Sequence, residues 1–184
     1  EILANYKERR MELNSYQEKV ILDLNDYLEE LNKYGSKKLN QSFASYWLKK
    51  GVANQNYIEK IPNTPHVCVK VPTAGGKTFI AVNALRSIYD AAEYHGEKKP
   101  RFTVWLVPST AILEQTLKNL QNPEHPYRQK LNVLFNGRVN VYEKDDVLLG
   151  RGFDADTVKS GISIVIMTFD AFRTRNKEGR LIYR

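Results

Sequence analysis

Downstream of residue 65 the sequence alternates short apolar runs with helix-length amphipathic stretches, and this order constrains the fold more than any other feature. Residues 66–71 alternate and then turn apolar, which predicts a strand. Residues 77–92 follow, with Ile80, Ala81, Ala84, Leu85 and Ile88 on one helical face. The run 102–107, rich in Val and aromatics and bounded by Pro108, predicts a buried parallel strand. Ser109 then caps a helix carrying Ile112, Leu113, Leu117 and Leu120, which Pro123 and Pro126 interrupt. A helical stretch at 127–135, a short strand at 139–142, a charged loop, a helix at 154–160 and a strand at 162–167 complete the series. Strands separated by helices pair in parallel and are covered on both faces. The expected fold is therefore α/β, a doubly wound, mostly parallel sheet.

Upstream, Val20, Leu24, Tyr27, Leu28 and Leu31 recur at helical spacing between residues 16 and 34, ahead of Gly35. A second helix is expected at 43–48, and a loop with Pro62 and Pro65 follows at 54–65. The expected division is an N-terminal helical segment at residues 1–60 and an α/β core at residues 61–184.

Composition excludes several classes. With 42% hydrophobic and 27% charged residues, a chain of 184 residues builds a real core and is not intrinsically disordered. The apolar runs Val104 to Val107 and Ile164 to Met167 fall far short of the ~18 residues a membrane-spanning helix needs. The opening segment EILANYKERR has no basic-then-apolar pattern of a secretion signal. One cysteine, Cys68, and three scattered histidines, His66, His95 and His125, give neither a disulfide nor a zinc pattern. A reducing, cytoplasmic setting is expected. The formal charge of +7 favours a polyanionic partner, although the separated pairs Lys37-Lys38, Lys49-Lys50 and Lys98-Lys99 read equally well as solvated faces.

The segment Val71-Pro72-Thr73-Ala74-Gly75-Gly76-Lys77-Thr78 lies between the expected strand and the expected helix. Phosphate oxygens need several donors converging at close range, and small residues let backbone N–H groups of Gly75 to Thr78 approach. A helix starting at the same point adds unpaired N–H groups and a favourable dipole. Lys77 is placed to reach the β and γ phosphates and the Thr78 hydroxyl to ligate Mg²⁺, so the expected ligand is ATP. Val71 occupies the position of the first glycine in the strict pattern, and Ala74 interrupts the glycines. The plainer alternative is a Gly-Gly turn with an incidental Lys-Thr.

Several segments in order resemble the first motor lobe of superfamily 2 DEAD/DEAH-type helicases and translocases, above all the restriction (Res) subunits of type III restriction-modification enzymes. Ser15-Tyr16-Gln17-Glu18 ahead of an amphipathic helix resembles the family's glutamine element, which implies that Gln17 reads the adenine edge. Pro72 to Thr78 resembles its phosphate loop, which implies nucleotide contacts from Thr73, Ala74, Gly75, Gly76, Lys77 and Thr78. Leu106-Val107-Pro108-Ser109 and the following helix are similar to the turn that touches nucleic-acid phosphates, implicating Pro108 and Ser109. Ile164 to Phe172 resembles the strand and turn whose threonine, here Thr168, contacts the tracked strand. His125-Pro126-Tyr127-Arg128 and Lys177-Glu178-Gly179-Arg180 also resemble this group, without a chemical role. The residues by themselves leave Gln17 as a surface polar group, Ser109 as a plain helix cap and Thr168 as a strand-end cap.

The resemblance implies a RecA-like P-loop NTPase fold and an ATP-dependent hydrolase that translocates along DNA beside a modification (methyltransferase) subunit. It also implies an acidic Walker B motif, yet no four-residue apolar run followed by Asp-Glu occurs; Thr168, Phe169 and Asp170 follow Met167 instead. The expectation is ATP binding with little or no hydrolysis by these 184 residues alone. Two other classes stay open: a small-metabolite kinase using Asp170 as its acid, and a non-enzymatic basic domain that binds nucleic acid.

Overall fold

The computed structural model describes residues 11–53, 55–93, 96 and 99–172. His95, the segment Lys177 to Arg180 and the rest of the basic stretch 173–184 lie outside them. The chain packs as two compact units, one of residues Glu12–Glu97 and the other containing all the described strands.

Among the described residues, the first unit holds three α-helices and a short 3-10 turn at Ser36–Lys38. Helix α1 (Ser15–Tyr34) starts at a reciprocal cap in which Asn14 Oδ1 accepts from the Gln17 N–H at 2.9 Å and Gln17 Oε1 accepts from the Asn14 N–H at 3.1 Å. Gly35, at φ 80°, ends it by donating to the Leu31 carbonyl. Helix α2 (Leu39–Lys49) returns along α1, and Tyr27 meets Phe43 and Tyr46 edge-on at 6.3 and 5.8 Å. Glu30 is buried at the same seam, held by Lys49 and by the Ser45 hydroxyl. These donors keep its carboxyl below the ordinary glutamate range, the Lys49 hydrogen bond first. Helix α3 (Lys77–Ala92) buries Phe79, Ile80, Val82 and Leu85, and it also packs on α1.

Residues 66–71 are not a strand. They form no regular element, and Val67 and Val69 are about half exposed. Alternation reports side-chain spacing, but a strand exists only through ladder bonds to a neighbour, and the unit of residues Glu12–Glu97 contains no described strand. Cys68 is accordingly exposed.

The second unit is a three-stranded parallel sheet in the order β1-β3-β2, formed by β1 (Arg101–Val107), β2 (Val139–Glu143) and β3 (Ile162–Thr168). The register runs from Arg101 opposite Ile162 to Val107 opposite Thr168, and from Val139 opposite Ile162 to Glu143 opposite Ile166. β3 is buried from Ile162 to Met167, as a central parallel strand covered on both faces should be. β1 is less buried than its apolar run suggests: Phe102 and Val104 stay exposed, and only Val107 is fully covered.

Helices α4 (Thr110–Gln121), α5 (Pro126–Leu134), α6 (Lys144–Leu148) and α7 (Ala155–Ser160) connect the strands. α6 corrects the expected charged loop, because Asp145 and Asp146 stand in a first helical turn, where the dipole favours acids. The segment His125 to Arg128 also gains a role. His125 caps α5 by accepting from the Tyr127 N–H at 3.2 Å, with Pro126 at the first helical position. The Arg128 guanidinium donates to the carbonyls of Leu120 and Val139, both at 2.9 Å, and to Asn132 at 3.1 Å. It thereby ties α4, α5 and β2 together. Among the described residues, no helix is long and apolar enough to cross a membrane.

Candidate functional site

The candidate phosphate loop, residues 71–78, is the turn leading into α3. Thr73 and Ala74 are exposed, Gly75, Gly76 and Thr78 partly so, and the Lys77 side chain is exposed. Gly76 caps α3 in the left-handed conformation, φ 75°, and the first helical bond runs from the Ile80 N–H to the Gly76 carbonyl at 3.0 Å. The N–H groups of Gly76, Lys77 and Thr78 donate to no acceptor among the described residues. Three free donors therefore open a 16-residue helix, the arrangement a phosphate needs.

The loop is closed on itself. The Pro72 carbonyl accepts from the Gly75 N–H at 3.1 Å and from the Lys77 ammonium at 2.8 Å. Ala74 takes a left-handed conformation at φ 61°, unusual for a residue with a side chain. An added Cβ at Gly75 would crowd Val71 and the Pro72 carbonyl, and one at Gly76 would collide with the Gln17 amide. Both glycines are fixed by close approach as much as by flexibility.

Gln17 sits against this loop. Its Nε2 donates to the Gly75 carbonyl at 3.3 Å while its Oε1 closes the cap of α1, and the side chain is 8% exposed. The glutamine element and the phosphate loop, 58 residues apart, thus meet inside one unit. A cavity of about 520 Å³ between α1, α2 and residues 56–70 is lined by Tyr27, Phe43, Trp47 and Tyr57 and includes none of the loop residues 72–78. Among the described residues, no group of three or more His, Cys, Asp or Glu side chains is placed to hold a metal ion.

In the other unit, Val107 faces Thr168 across the β1–β3 ladder, and Pro108 and Ser109 follow immediately. The two segments singled out for nucleic acid therefore end at the same edge of the sheet. Ser109 is exposed and its hydroxyl accepts from the Ile112 N–H at 3.4 Å, a long capping bond. Asp170 lies in the short turn Phe169–Phe172 that follows β3. A residue missed in the sequence stands at this edge too: Lys144, whose ammonium donates to the Ala171 carbonyl at 3.4 Å. Its position directly after a strand was the available signal, and its acidic neighbours concealed it.

The pattern of the family described as "Type III restriction enzyme, res subunit" matches residues 10–181 of the 184. The chain belongs to this family. No curated protein and no solved structure matches it. Membership of the Res-subunit family establishes the RecA-like α/β class and an ATP-driven translocase or helicase role, with ATP hydrolysis in the full-length enzyme. It also implies nucleotide binding, and type III systems act on DNA together with a modification subunit.

Proposed function

We propose that residues 61–184 are the nucleotide-binding lobe of a Res-subunit motor, with residues 1–60 as a helical flank that supplies Gln17. The observation that carries this reading is the start of α3, where three unpartnered N–H groups stand beside Lys77 and Thr78. ATP is the bound nucleotide, and its phosphates take the place of the Pro72 carbonyl on Lys77. Thr73, Ala74, Gly75 and Gly76 line the turn around them, and the Thr78 hydroxyl would hold Mg²⁺. Bound Mg²⁺ neutralises charge developing on the phosphates. Gln17, already against the loop, reads the adenine edge once its bond to Gly75 is exchanged for the base.

DNA runs across the sheet edge at Pro108, Ser109 and Thr168. A modification subunit is the protein partner, and the setting is cytoplasmic. Without an apolar run ending in Asp-Glu, this chain binds ATP with little or no turnover.

Gln17→Ala tests the assignment through base preference. Titration with ATP and GTP in Mg²⁺ should give a native preference for ATP that the variant loses, while inorganic triphosphate binds both proteins alike. Equal loss for all three ligands would make Gln17 a prop of the loop and overturn its role as base reader.

A further inference from the structure

The edge that brings Ser109 and Thr168 together has a third contributor. In a parallel sheet all strands end on the same side, and ligands of open α/β sheets bind beyond those carboxyl ends. β2 ends at Glu143, so Lys144 is the residue with which its chain leaves that edge. The Lys144 side chain is half-buried and reaches toward β3, donating to the Ala171 carbonyl three residues past Thr168.

The charge of Lys144 is uncompensated. Glu143, Asp145 and Asp146 adjoin it in sequence, yet among the described residues no carboxylate lies within ion-pair distance of its ammonium. Asp146 is turned back to the start of α6, where it accepts from the Glu143 N–H at 3.0 Å. The partner of Lys144 is a neutral carbonyl at long range. A partly desolvated ammonium in this state gains from an approaching anion.

Spacing suits a run of phosphates. β1 and β2 flank β3, so their ends lie two strand spacings apart, about 10 Å. One nucleic-acid strand advances about 3.4 Å along the helix axis per phosphate, so three consecutive phosphates cover two steps, about 7 Å, within reach of side chains on three adjacent strand ends. We propose that Lys144 is a further phosphate-binding residue, and that Ser109, Thr168 and Lys144 hold consecutive phosphodiesters of one strand laid across the sheet edge. This inference rests on the assignment of that edge to DNA.

The test is fluorescence anisotropy with a labelled oligonucleotide, single-stranded and as duplex, over a range of salt. The proteins are the native chain, Lys144→Met, Lys144→Arg and Ser109→Ala. Lys144→Met should weaken binding several-fold at low salt and reduce the slope of log affinity against log salt by about one. Lys144→Arg should restore both, with unchanged melting temperature in each variant. If Ser109→Ala weakens binding but Lys144→Met leaves affinity and slope as they were, Lys144 has no such role and the DNA edge stands. Loss that follows a lowered melting temperature and is not rescued by arginine reduces Lys144 to a tie on the Ala171 turn. Failure of the native chain to bind either oligonucleotide overturns the edge assignment and this inference together.

Discussion

Ala74 holds the phosphate loop in a conformation that ordinarily belongs to glycine. Ala74→Gly should therefore raise stability by up to about 1 kcal/mol in urea unfolding, since relief of the left-handed strain exceeds the entropy that glycine adds to the unfolded chain. An ordinary loss of about 1 kcal/mol would mean that the loop is not strained there. The glycine pair and Lys77 stand out in the sequence as candidates because their types suit a phosphate, and the structure places them at the start of α3. The strain at Ala74 was not legible there, because alanine does not announce a positive φ. Nor was the pairing of Glu30, which depends on α2 returning along α1. Its carboxyl is held below the usual range chiefly by the Lys49 hydrogen bond and then by Ser45. The folded value thus lies below the unfolded one, so the stabilisation is complete above the ordinary glutamate pKa and is lost as pH falls through the lowered value. Thermal melts from neutral to acidic pH should show this loss in the native chain and a flatter profile in Glu30→Gln, which is already less stable at neutral pH.

At the scale of elements, helices were the readable part. The faces of α1, α3 and α4 are periodic over many residues, and the caps at Ser109 and Gly35 mark their ends. α6 was hidden because Lys144, Asp145 and Asp146 look like solvated loop, although acids suit a helix start. Residues 66–71 failed for the opposite reason: their alternation fits a strand, and pairing is a property of neighbours rather than of the run itself. Arg128 is the connector that sequence reasoning left without a role. Arg128→Met removes the donor from two backbone carbonyls and from Asn132, and should cost on the order of 2–3 kcal/mol in denaturant unfolding. Arg128→Lys should recover only part, because one ammonium cannot reproduce the guanidinium fork. A change below about 0.5 kcal/mol would show that α4, α5 and β2 are held by their apolar contacts alone.

For the whole molecule, the order of motifs was more informative than charge. Charge alone favours any polyanion, whereas a glutamine element, a phosphate loop and two strand-end turns in sequence point to one kind of motor. The structure adds that Gln17 touches the loop and that the two strand-end turns share an edge. In the proposed function the turn into α3 binds the phosphates of ATP through Lys77. Calorimetric titration of the chain with ATP in Mg²⁺, native against Lys77→Ala, tests it most directly. The native chain should bind saturably at one site, and the variant should lose at least tenfold in affinity with no change in melting temperature. Equal binding by both proteins, or none by the native chain, would contradict it.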